Sequence, residues 1–380
     1  MKKDTKKYLK IAVIASVIIT SLIFISISLV YKFYPVDFVI RIIKNRTEAL
    51  LNRKVEISSL HYSLKGIVMH DVTIYDKSSG NDEPVLFKAD EAVITFSIFS
   101  LIKKDFSIHT LYFKGLDINC IYGKDGKSNL QNLAAEIKEN TAKTGGEKKI
   151  ELSKIILNDC RFRLIDPPHF IKPLEGEYRI NSTVSVKENR FFKVTDAKIT
   201  LPSRRGIVYP ELNIDTTDAF IAKGKAKLEN ASLQWVYKFA QRDPHLPFDI
   251  VNGQVNDIEI TSEHIKGKAK VSSSLKNTKS ILFADGSCTV TVDDRMVYIK
   301  EAKGKVNTSS SNVDILNIAA RKGEITKFSF TNAALQLSDL KLFLPPLPSG
   351  ISGFVRGYLS YESGVYNGKI EGSNIAYKGK

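Results

Sequence analysis

From residue 55 onward, apolar and polar residues alternate in short runs, and this period-two pattern restricts the fold more than any other feature of the chain. Ile94, Phe96 and Ile98 alternate with Thr95 and Ser97; Leu116, Ile118 and Cys120 with Asp117 and Asn119; Cys160, Phe162 and Leu164 with Arg161 and Arg163. The same spacing returns at Ile199-Leu201, Leu212-Ile214, Ile258-Ile260, Cys288-Val290-Val292, Val297-Ile299 and Phe328-Phe330. Strict alternation describes strands with one apolar face and one wet face, as in antiparallel sheets. Turn signals punctuate the runs at Ser79-Gly80-Asn81-Asp82, Lys124-Asp125-Gly126-Lys127 and Asp285-Gly286. The expected fold is mainly β, an elongated antiparallel array of roughly sixteen strands with a few short helices, about 75 Å across at strand spacing.

Three stretches break the alternation: short helices are expected at Asn129–Glu139, Ala231–Gln241 and Leu337–Leu344, with a polar flexible loop over Asn140–Lys149. Val251-Asn252-Gly253-Gln254-Val255 and Ile351-Ser352-Gly353-Phe354-Val355 lie one hundred residues apart in similar surroundings. This faint repeat suggests an extended array rather than a closed globule.

The other end of the chain reads differently. Lys2, Lys3, Lys6, Lys7 and Lys10 against Asp4 put a local excess of four positive charges ahead of Ile11–Val30, twenty residues with no charge and no proline. At 1.5 Å per residue this run is about 30 Å long, the thickness of a bilayer's hydrocarbon core. Tyr31, Phe33 and Tyr34 follow as an aromatic belt with Lys32, and Pro35 ends the run. The expectation is that residues 1–34 comprise a cytoplasmic basic start and one N-terminal transmembrane helix over 11–30, with residues 35–380 exported. A cleaved secretory signal is the alternative, with Ser26-Ile27-Ser28 as a weak processing site. Next, Val36, Val39, Ile40, Ile43, Ala49 and Leu50 fall near helical spacing, which predicts an amphipathic helix within 35–54. Such a helix can lie on the membrane or cap the first strands; the β-rich sequence that follows favours the cap.

The formal charge of +15 raises nucleic acid as a partner, but beyond the N-terminal cluster it is scattered lysine without arginine–aromatic interleaving, and export argues against it too. The six histidines, His61, His70, His109, His169, His245 and His264, form no metal-ligand spacing, and no HExxH or CxxC occurs. No phosphate-binding, nucleophile-elbow or dinucleotide motif is present, and Asp293-Asp294 and Asp82-Glu83 are turn-like pairs. The chain is therefore read as non-enzymatic, with no cofactor and no metal. Cys120, Cys160 and Cys288 sit on apolar strand faces as small hydrophobes, a Cys120–Cys160 disulfide being the alternative.

Four blocks in the N-terminal third carry a resemblance. Leu51-Asn52-Arg53-Lys54-Val55-Glu56-Ile57 is similar to an "LGRPVEI" lead-in, with Asn52 and Lys54 in place of glycine and proline. Leu64 to Ile74 resembles a glycine-marked hairpin ending in "L-x-D/N-V-x-V". Ala89–Phe96 with Ser100–Phe106 resembles "A-x-x-V-x-V…LL-x-G". Leu116–Asn119 with Asp125–Leu133 resembles "P-x-V-x-L…DG-x-x-N-W-x-x-L", with Leu130 where an aromatic is common. In this order, behind an N-terminal anchor and covering about residues 9–133, the blocks resemble the AsmA-like family.

The resemblance implies an inner-membrane-anchored, periplasmic protein whose curled β-sheet forms an apolar groove. It also implies phospholipid carriage toward the outer membrane. On that reading residues 55–139 form the AsmA-like β region, 140–149 a loop, and 150–380 a continuation of the groove. The expected partners are phospholipid acyl chains, the inner membrane through residues 11–30, and an outer-membrane or periplasmic protein at the C-terminal end. The expected groove lining is Ile94, Phe96, Ile98, Ile108, Leu116, Ile118, Phe162 and Leu164. A dry sandwich core at these positions is the alternative, since periodicity identifies a face but not what covers it. A second functional reading is an envelope scaffold that holds outer-membrane proteins through an exposed strand edge.

Overall fold

The computed structural model describes residues 35–63, 66–77, 84–96, 108–143, 152–168, 172–188, 190–232, 250–274, 281–291, 296–306, 311–321, 324–339 and 351–377. The apolar run at 11–30 lies outside them, and among the described residues no helix is long and apolar enough to cross a membrane.

Helix α1 (Val36–Leu51) comes first, followed by β1 (Val55–Ser63), β2 (Gly66–Tyr75), β3 (Val85–Phe96), β4 (Ile108–Lys114), β5 (Asp117–Ile121) and helix α2 (Asn129–Lys143). The chain then runs through β6 (Lys154–Ile165), β7 (Gly176–Lys187), β8 (Phe191–Thr200), β9 (Ile207–Asp215), β10 (Ile221–Ser232), β11 (Ile250–Ile260) and β12 (His264–Ser274). It finishes with β13 (Ile281–Thr291), β14 (Met296–Val306), β15 (Asn312–Arg321), β16 (Glu324–Gln336), β17 (Ile351–Glu362) and β18 (Val365–Tyr377).

From β6 to β18 every strand pairs antiparallel with the next. Strands β1, β2 and β3 form an antiparallel start, and β4 and β5 act as one broken strand, both antiparallel to β3 and parallel to β6. A parallel neighbour needs a crossover, and the segment containing α2 supplies it. The described strands form one long curled sheet with few helices to cover it.

A seam of left-handed residues crosses this sheet. Asp71, Asp159, Asp196, Asn230, Asp257, Glu301 and Asn332 all have φ between 48° and 53°, and Gly115 between β4 and β5 has φ 61°. Asp159, Asn230, Asp257, Glu301 and Asn332 fall within register shifts. A bulge adds one residue and would turn the following side chains to the wrong face. Here the sequence compensates by spacing apolar residues three apart across the seam. Examples are Met69/Val72, Phe113/Leu116, Leu157/Cys160, Val194/Ala197, Leu228/Ala231, Val255/Ile258, Ile299/Ala302 and Phe330/Ala333. Several bulges are closed from the next strand by an asparagine. The Asn181 side-chain carbonyl accepts the Asp159 N–H at 2.7 Å, Asn252 that of Asn230 at 2.8 Å, and Asn317 that of Glu301 at 2.9 Å. Bulges bend and twist the strand that carries them, so a row of them curls the sheet.

The repeat at Gly253 and Gly353 has a structural counterpart. Both glycines have positive φ, 151° and 128°, and an added Cβ would strike the backbone of the following strand, at Lys270 and Asn374 respectively. The Asp285-Gly286 pair, expected as a turn, lies instead inside β13, where Gly286 faces the backbone of Ala302 at a register shift. The Ser79–Asp82 turn signal and both acid pairs lie outside the described residues, as does most of the expected helix at 231–241. Ala231 and Ser232 themselves end β10 as strand. Of the helix expected at 337–344, Leu337–Asp339 are helical and the rest lies outside the described residues.

Helix α1 forms as its spacing predicts and caps the first strands. Val36, Val39, Ile40 and Ile43 pack on a core of Leu60, Met69 and Ala92, each half-buried aliphatic contributing on the order of 1 kcal/mol. Asn52 ends the helix in the left-handed conformation (φ 51°, ψ 44°), the position where asparagine is the usual substitute for glycine. Helix α2 starts with a capping box: the Gln131 N–H donates to Ser128 Oγ at 3.2 Å and the Ser128 N–H to Gln131 Oε1 at 2.9 Å. It continues four residues past the expected end, into what the sequence suggests is loop. Asn140 there donates from its side chain to the Leu50 carbonyl of α1 at 3.0 Å.

Arg53, only 6% exposed, ties these pieces together. Its guanidinium donates to Asp76 at 3.3 Å, to Glu136 of α2 at 2.6 Å and to the Asn52 carbonyl at 3.1 Å. Lys77 also donates to Glu136, at 2.8 Å, and Asn129 to Asp76, at 3.0 Å. Hydrogen bonds from Arg53 and Lys77 outweigh the desolvation of Glu136 and hold its carboxyl below the usual range.

Candidate functional site

Directly opposed residues in a sheet share a face. Following the registers therefore traces which side chains lie together. Ile57 opposes Val72 and Val72 opposes Ala89; further along, Cys160 opposes Ile180 and Ile180 opposes Ile199. The trace continues from Ile199 to Val208, Leu228, Gly253, Val271, Ala284, Gly304 and Val313. A second row runs from Cys288 through Ile299, Ile318 and Phe328 to Tyr361 and Tyr366. One face is thus apolar from one edge of the sheet to the other.

A cavity of about 710 Å³ opens on this face over β12–β16, within the size range of ordinary ligand sites. Its floor is made of small side chains in strand interiors: Ala269, Ala284, Gly286, Ala302 and Gly304. Val271, Leu282, Ile299, Leu316, Ile318 and Leu335 supply the bulkier lining. Ser311 and Asp339 also line it, Ser311 donating to the Asp339 carboxylate at 2.5 Å and accepting the Gln336 N–H at 2.8 Å. Cys288 lines it too, its thiol pKa pushed up by burial. Alkylation of Cys288 is expected to be slow at neutral pH and to accelerate toward alkaline pH. Mass spectrometry of maleimide-treated chain over a pH series tests this; labelling as fast at neutral as at alkaline pH would contradict it.

The opposite face is polar and holds itself together by ion pairs. Glu259 accepts from Lys266 at 2.7 Å, His264 at 3.1 Å and Lys223 at 3.2 Å, clasping β10, β11 and β12. These bonds, Lys266 first, lower its pKa from 4.5 to about 2. A depressed carboxylate pKa stabilises the fold above the ordinary value, and that contribution fades as pH falls from 4.5 toward 2. A carbon-detected NMR titration should find Glu259 still ionised at about pH 3. An ordinary midpoint would count against the clasp. Among the described residues no group of three or more His, Cys, Asp or Glu could hold a metal ion.

The residues expected to line the groove gather at the other end of the sheet. Ile94 packs into the core beneath α1. Leu116 is buried with Ala89 and Cys160, and Ile118 packs on the same group. Phe162 opposes both Ile118 and Tyr178, its ring 6.3 Å from the tyrosine's, and Leu164 opposes Cys120. Ile108 opposes Phe96 in register, and Ile98 lies outside the described residues. Cys120 and Cys160 are free thiols. Cys120 opposes Leu164, four residues beyond Cys160 on a parallel strand, so about 13 Å separates them, too far for a disulfide.

None of the cavity's lining was singled out from sequence as a site. The available signal was small residues at inward positions, as in Ala284-Asp285-Gly286-Ser287-Cys288 and Ala302-Lys303-Gly304-Lys305-Val306. No protein-family model, curated protein or solved structure matches this chain.

Proposed function

We propose that this chain is a membrane-anchored, AsmA-like protein that binds phospholipid acyl chains along the apolar face of its sheet and carries them without catalysis. The observation that carries the reading is the cavity over β12–β16, an apolar hollow on a face that few helices cover. Water-exposed apolar area of this extent is costly, and an acyl chain is an occupant whose chemistry matches the lining. The resemblance of residues 9–133 supports an inner-membrane anchor at 11–30 with residues 35–380 in the periplasm, serving outer-membrane lipid homeostasis. The test is a photo-crosslinking amino acid in the full chain at Leu316, on the apolar face, and at its neighbour Asn317, on the other. Phospholipid should be captured from Leu316 alone; equal capture at both, or none, would remove the groove reading.

A second reading is favoured by β18. All of its residues are exposed, and Val365, Tyr366, Ile370, Ile375 and Tyr377 are large apolar or aromatic side chains. An open strand edge of this kind suits a scaffold that pairs with other envelope proteins. Crosslinks from residues 365–377 to a stoichiometric protein, together with lipid-free Leu316, would favour it.

A further inference from the structure

Helix α1 is apolar on two sides. Its inner side, Val36, Val39, Ile40 and Ile43, is used by the core beneath it. The exposed positions form a second stripe of their own, Asp37, Phe38, Arg41, Ile42, Asn45, Arg46, Ala49 and Leu50. Phe38 is 48% exposed, Ile42 39% and Leu50 44%. A helix that only capped a sheet would carry polar residues on its outer side. Two arginines flank the apolar residues, and neither makes an ion pair among the described residues, while the stripe's one acidic residue, Asp37, stands at its start. Lys44, at the border of the stripe, pairs with Glu48 at 3.9 Å.

We propose that this outer stripe lies in the surface of an anionic bilayer, so that α1 joins the sheet to the membrane by its two faces. Phe, Ile and Leu flanked by arginine is the composition of a helix that rests in the headgroup region. Basic side chains there are attracted to anionic lipid. Position agrees with composition. The apolar run at Ile11–Val30 ends five residues before α1 begins, and five extended residues reach at most about 18 Å. The inference rests on that run being a membrane anchor, and it commits to lipid rather than protein as the occupant. It also fixes which end of the sheet meets the bilayer: the end capped by α1, with the cavity over β12–β16 many strands away.

The experiment uses the full chain in vesicles of three parts phosphatidylcholine to one part phosphatidylglycerol. Phe38→Trp is made in a Trp235→Phe background, and Tyr358→Trp, exposed on β17, serves as the control in the same background. Brominated phospholipid should quench the indole of Phe38→Trp at least about threefold more than that of Tyr358→Trp, because only a side chain within the acyl boundary meets the quencher. Adding Ile42→Asp, or Arg41→Glu with Arg46→Glu, to Phe38→Trp should return its quenching to the control level. Both sets are surface changes, and an unchanged far-UV spectrum verifies the fold. Co-flotation of the chain with the vesicles reports the anchor separately. Flotation with an unquenched Phe38→Trp would overturn the proposal and leave the anchor standing. Loss of flotation would overturn both. Quenching indifferent to the arginine changes would overturn the anionic part. A protein partner for the stripe would leave the new indole in water in these pure lipid vesicles, which also overturns it.

Discussion

Leu316→Asp in the full chain is expected to abolish phospholipid capture while leaving the sheet folded. Leu316 lies between Ala302 and Phe330 of the neighbouring strands, lines the cavity and is partly buried. In the empty protein an aspartate there keeps access to water, so its folding cost should be small, about 1 kcal/mol. Once an acyl chain covers the position, the carboxylate must be desolvated without a partner or take up a proton, which costs several kcal/mol. A penalty of only about 2.7 kcal/mol lowers affinity roughly 100-fold. The comparison that isolates the effect is Asn317→Asp, the same charge one residue away on the polar face. Native mass spectrometry of both variants, with circular dichroism verifying the fold, should show lipid lost in the first and retained in the second. Equal retention would mean that the cavity is not where lipid sits.

Arg53→Met is expected to release α2 from the body of the protein. The arginine is the shared donor for Asp76 and Glu136, and its side chain is almost completely buried. Methionine replaces the volume but leaves two carboxylates facing one another with only Lys77 and Asn129 in support. Breaking a buried pair by removing one partner costs about 3–5 kcal/mol. Partial exposure of Glu136 argues for the lower end of that range. Hydrogen exchange should show loss of protection across residues 129–143 with β12–β16 unaffected, because the cost is local to α1, β1, β2 and α2. Arg53→Lys should recover less than half of the loss, since an ammonium cannot offer the planar fork that reaches both acids. Unchanged exchange in α2 would show that the helix is held by its apolar contacts alone.

Much of the architecture was legible because alternation is a local property. Each run of inward apolar residues names one strand face, and the strands found at Cys160–Leu164, Leu212–Ile214 and Phe328–Phe330 are where those runs stand. Helix α1 was legible from its spacing, but not that its two apolar sides face different surroundings. Ala231, placed in a helix by its context, is strand because it resumes the apolar face beyond the left-handed Asn230 and pairs with Val251. Gly286 reads as a turn residue in isolation, yet it lies under the backbone of the neighbouring strand, a long-range relation.

Residue spacing was enough to mark the β-rich body, many of its strands and the two helices near the start, since period-two and helical patterns act within a few residues. Where that face is filled and where it is hollow emerged only from the packing of strand against strand. Bulky residues and α1 close it over β1–β3, while alanine and glycine at opposed positions open it over β12–β16. Whether an inward residue meets a neighbour or a void depends on register between strands and on what the helices cover. Those are relations between segments far apart in the chain, and no single segment carries them.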